Sequence, residues 1–173
     1  MDRKDEVRAA IDANLRMRGW AYRSVCALPP CYCRGGIVTP YFVLWDVDRR
    51  PWGDCAVKGS IGVIHAGFEQ AWSQRYPGHA SVHAWAATSL IVNFPELLSA
   101  RYIPGQGDFK AAVVAFCDAL VGLLESLPTS EASLLDSVKK DVWGAHPARK
   151  FMNYVDIGKF NGLKDYVTGR VQI

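Results

Sequence analysis

The sequence predicts an α+β fold in one domain over residues 1–173: an N-terminal helix, an antiparallel sheet of about four strands, and a helical C-terminal half packed on it. Three observations carry this. Apolar residues recur at four-residue spacing in Val7, Ile11 and Leu15, then crowd into two strand-like runs between Gly35 and His65, and return to helical spacing from Val113 onward. Strands gathered in one half and helices in the other form an α+β layer arrangement. A chain of 173 residues, half of them apolar, fills one core and is short for two.

In chain order, Asp2 is placed to cap the first helix, Arg8, Asp12 and Arg16 make an opposite-charge ladder on it, and Gly19 ends it. Residues 19–25 read as a short edge strand. The segment 26–36, with Pro29, Pro30, Gly35 and Gly36, reads as a loop. The next strand has apolar residues on both faces, Ile37, Tyr41, Val43, Trp45 and Val47 on one and Val38, Phe42 and Leu44 on the other, so it belongs in the middle of the sheet. Pro40 cannot donate to a ladder, so the strand either starts after it or bulges there.

Residues 46–54 are turn-like in composition, and the chain returns with Cys55, Val57, Ile61 and Val63 on one face and Lys58 and Ser60 on the other. Phe68, Trp72 and Tyr76 then mark a helix laid across the sheet and stopped by Pro77 and Gly78. Residues 79–94 read as a strand, although their alanines suit a helix equally. Asp108 caps a helix with the stripe Val113, Phe116, Cys117, Leu120, Leu124 and Leu127, ended by Pro128. Thr129 or Ser130 restarts a helix through Leu134, Leu135, Val138 and Val142. A weaker helical pattern, Phe160, Leu163 and Val167, follows.

Composition narrows the function. The net charge of +3 is dispersed, with no run of Lys and Arg longer than two, which argues against a dedicated nucleic-acid patch. Charges in residues 1–19 stand where a secretory signal needs an apolar core, and no apolar run is long enough to span a bilayer, so a soluble cytoplasmic protein is expected. Five cysteines, an odd number, fit reduced thiols better than a disulfide scaffold.

Four constellations bear on chemistry. Asp46 and Asp48 close an apolar strand, where paired carboxylates hold Mg²⁺ for phosphoryl transfer, and the stretch locally resembles the haloacid-dehalogenase phosphatases. Arg50 stands where that family has a small residue, no downstream aspartate pair follows, and the early return of the chain makes a hairpin in place of a βα crossover. Cys26, Cys31 and Cys33, with Cys55 or His65, have the residue types of a zinc site without its two-residue spacer, and read as small hydrophobes. His79 and His83 lack the Glu of a zincin motif. Gly59, Ser60 and Gly62 do not make a nucleophile elbow. No catalytic residue, metal or cofactor is assigned.

The strongest binding feature is the turn of Asp48, Arg49, Arg50, Pro51, Trp52 and Gly53, because Arg and Trp dominate interface hot spots and a hairpin tip presents them to solvent; the opposing reading folds Trp52 back onto the sheet edge. Lys58 and Ser60 on the wetter face of the returning strand form a second candidate surface.

The succession of residues 11–23 (IDANLRMRGWAYR), the strand YFVLWDV, a turn, and CAVKGSIGV followed by an aromatic helix resembles a family of bacterial domains that accompany polymorphic-toxin immunity proteins. The likeness covers about the first 70 residues and includes the spacing of Leu15, Gly19 and Tyr22. It implies recognition of another protein through the surface and supplies no catalytic site. The expectation is therefore a non-enzymatic protein-binding module that neutralises a partner protein, with Asp48, Arg49, Arg50, Trp52 and Lys58 at the interface. The alternative is a metal-dependent phosphotransfer enzyme or hydrolase using Asp46 and Asp48.

Overall fold

The computed structural model describes residues 3–24, 30–49, 55–77, 89–93, 109–139, 162–163 and 165–169. Helix α1 (Arg3–Met17) leads into β1 (Ala21–Arg23), β2 (Cys31–Cys33), β3 (Val38–Arg49) and β4 (Cys55–His65). Then come α2 (Ala66–Arg75), β5 (Ser89–Asn93), α3 (Phe109–Glu125) and α4 (Glu131–Lys139). The five strands lie in sequence order, each antiparallel to its neighbours. The fold is α+β, with an N-terminal helix, an antiparallel sheet and further helices.

The sheet has one strand more than expected, because β2 lies in the segment read as a loop. Among its described residues, 31–33 pair, directly after Pro30. Their alternation gives the reason: Tyr32 enters the core shared with the helices, while Cys31 and Cys33 enter a smaller buried cluster with Tyr41, Val43 and Ile64.

Helix α1 stops through its sequence. Gly19 has φ +80°, its N–H donates to Arg16 O, and the Trp20 N–H reaches back to Leu15 O. These two bonds make a Schellman cap, and Trp20 and Leu15 complete it by entering the same core.

Helices α1 and α3 pack together and against β3. Val7, Ile11 and Leu15 meet the α3 stripe of Val113, Phe116, Cys117, Leu120 and Leu124 above Val38, Phe42, Ile61 and Val63. Arg18 pairs with Asp118, while Arg34 pairs with Glu125, donates to Arg18 O and lies over the Trp20 ring. Partly exposed ion pairs contribute under about 1 kcal/mol each, whereas burying a side chain such as Phe116 contributes about 1.5–3 kcal/mol. Apolar burial holds the helices down, and the arginines fix their register.

β3 carries its irregularity away from Pro40. Pro40 pairs in register with Val63, and the ladder shifts between Leu44 and Asp46. Opposite β2, only Tyr41 and Phe42 of β3 are paired, so the missing N–H of Pro40 costs no ladder bond there. The extra residue at Trp45 exchanges the faces: Val47, expected beside Tyr41 and Val43, joins the helix-side core with Val38 and Phe42. Ile37 precedes the strand and is exposed.

The aromatic helix forms as its spacing predicts, with Tyr76 as its C-cap. Residues 162–163 and 165–167 are helical, and Tyr166 and Leu163 pack with Phe68 and Trp72 of α2. Ser130 caps α4, its Oγ accepting from the Ser133 N–H. Of the strand expected over 79–94, residues 89–93 form β5; His79 and His83 lie outside the described residues, as do Asp108, Val142 and Phe160.

Candidate functional site

The longest strands of the sheet, β3 and β4, make a hairpin whose ladder runs from Val38 opposite His65 to Arg49 opposite Cys55. Its flanks are shorter. Among the described residues, β2 pairs with Tyr41 and Phe42 on β3, and β5 with Lys58 to Gly62 on β4. Beyond those limits the described ladder is two-stranded, an arm. Val47 and Val57, opposite each other, are buried in the helix-side core and seat it.

Two residues assigned to the turn belong to this arm. Asp48 pairs in register with Ala56 and Arg49 with Cys55, because the bulge lengthens β3 and carries the ladder past the turn-like composition. Arg50, Pro51, Trp52 and Gly53 lie outside the described residues. Lys58 stands in β4 between Asp46 on one side and Asn93 on the other, so its backbone is interior to the sheet. The chain thus brings Asp48 and Arg49 to the end of the arm and leaves Lys58 near its root.

Asp46 has a definite setting at the bulge. Its Oδ1 accepts from Arg8 NH2 at 2.9 Å and from the Val47 N–H at 2.8 Å. This ties α1 to the strand at the point where the ladder shifts, and places a cation beside the carboxylate that a metal would have to displace. The next strand returns antiparallel, without a βα crossover.

Of the zinc candidates, Cys31 and Cys33 are buried thiols on one face of β2, and Cys33 Sγ accepts from Arg23 Nε at 3.2 Å. Cys26 is outside the described residues. Among the described residues no three His, Cys, Asp or Glu side chains gather as a metal site.

His65 anchors a cluster that sequence reasoning did not assemble. It is buried at the junction of β4 and α2, and its Nδ1 accepts from the Phe68 N–H at 3.2 Å, capping α2. The ring proton therefore sits on Nε2, which donates to Glu131 Oε1 of α4 at 3.0 Å. The Tyr166 ring packs edge-on at 5.4 Å, and a Cβ on Gly67 would stand 2.8 Å from the Tyr166 hydroxyl. A histidine with a carboxylate partner is the skeleton of a general base. Here both nitrogens are engaged, one by the backbone and one by Glu131, and the imidazole acts as a clasp joining β4, α2, α4 and the 162–169 segment. A His immediately before an amphipathic helix is a visible capping signal; the partner 66 residues away is not.

Cys117, on the α3 stripe, is core as its spacing predicts, and burial pushes its thiol up to about 11. No helix among the described residues is long and apolar enough to cross a membrane. No family model matches the chain, and neither the curated proteins nor the solved structures contain a significant match to it.

Proposed function

We propose that the chain is a cytoplasmic protein-binding module that grips another protein with the end of the β3–β4 arm, in the manner of an immunity protein that neutralises its partner. The observation that supports this reading is that, among the described residues, the β3–β4 ladder continues to Arg49 and Cys55 beyond the positions paired with β2 and β5. The residues joining its two strands are Arg50, Pro51, Trp52, Gly53 and Asp54, rich in the side chains that dominate hot spots. An arm seated by Val47 and Val57 holds its end on a fixed base, which reduces the ordering cost of binding.

The enzymatic alternative uses Asp46 and Asp48. It is less well supported, because Asp46 is engaged by Arg8 and by the Val47 N–H, and because the hairpin return offers none of the loop architecture that surrounds a metal at the end of a parallel strand.

Native mass spectrometry of the full chain captured from its host lysate tests the proposal. The expected result is a stoichiometric second polypeptide on the wild type. Trp52→Ala and Arg49→Glu should each weaken its retention, by about thirtyfold for a hot spot worth about 2 kcal/mol, with melting unchanged. Retention unaffected by both substitutions removes the arm from the interface. A divalent ion bound in place of a polypeptide, together with a phosphatase activity lost in Asp46→Asn and Asp48→Asn, establishes the alternative.

A further inference from the structure

We draw no further inference here: the strongest candidate, the surface patch at the bulge of β3 where the exposed Trp45 adjoins Asp46 and its ion-pair partner Arg8, carries none because nothing in the structure shows what covers it.

Discussion

His65 and Glu131, 66 residues apart in sequence, share a hydrogen bond of 3.0 Å in which the imidazole Nε2–H donates, while Nδ1 of the same ring caps α2. The two bonds have different weights. Glu131 is largely exposed, so its bond is screened and contributes under about 1 kcal/mol. The cap satisfies a helix N–H in a buried setting and contributes about 1 kcal/mol.

His65→Ala should therefore lower stability by about 2 kcal/mol or more, since it also empties a buried site. His65→Asn should recover about half of that loss, because Asn is a strong N-cap that cannot reach Glu131. Urea unfolding midpoints check both, and equal losses in the two variants would show that the cap is not the larger contribution.

Gly19→Ala should cost about 1–2 kcal/mol. A Cβ there meets nothing within 4 Å, so the loss is conformational, arising from φ +80° in the Schellman cap. Gly19→Asn, which tolerates the left-handed region, should cost less. Thermal unfolding of the two variants distinguishes backbone strain from lost packing.

Gly59→Ala should be more damaging than Gly19→Ala, for a different reason. The added Cβ would collide with the Phe42 ring and stand 2.8 Å from the Val43 carbonyl oxygen. The ring covers the glycine across the strand pair, and the backbone oxygen has nowhere to retreat. The expected loss is about 3 kcal/mol, at the upper end of overpacking, and the double variant with Phe42→Leu should regain part of it in the same urea assay.

Alkaline pH should destabilise the fold through Cys117 and Tyr32. Burial raises the Cys117 thiol from its ordinary 9.0 to about 11, and burial raises the Tyr32 phenol too, reinforced by the charge of Asp12 and by the hydrogen bond donated to it. Both groups stay neutral in the folded chain to higher pH than in the unfolded one. The contribution of Cys117 is complete below about pH 9 and fades as pH rises toward 11, by an amount on the order of 2 kcal/mol, while that of Tyr32 fades only above its ordinary 10.0. Urea midpoints across that range should fall less steeply for Cys117→Ala than for the wild type; parallel slopes would exclude the thiol as a source.

Periodicity and capping made the elements legible where a pattern is long. Val7, Ile11 and Leu15 identify α1, Phe68 and Trp72 identify α2, and the stripe from Val113 to Leu124 identifies α3, each with its buried face. Residues 31–33 were not legible, since three residues carry too little alternation to outweigh the prolines beside them. The face of Val47 was not legible either, because a bulge adds one residue without leaving a compositional mark. The same shift explains why Asp48 and Arg49 read as a turn. For the candidate site, Arg49 could be placed from sequence near the end of the arm, but the contacts of Arg8 with Asp46 and of His65 with Glu131 join distant segments and exist only once the chain has folded.

The packing of α1 on α3 has a consequence for synthesis. The apolar stripe of α1 is made about a hundred residues before the helix that covers it, which at about 5–20 residues per second is a wait of several seconds. The strands differ, because each neighbours the next in sequence and the sheet can grow strand by strand as it emerges, with α2 between β4 and β5. The nascent chain thus reaches α3 with a sheet whose helix-side face is open and a leading helix awaiting its partner. A chaperone that shields Val7, Ile11 and Leu15 during that interval would act on yield while leaving the final stability unchanged.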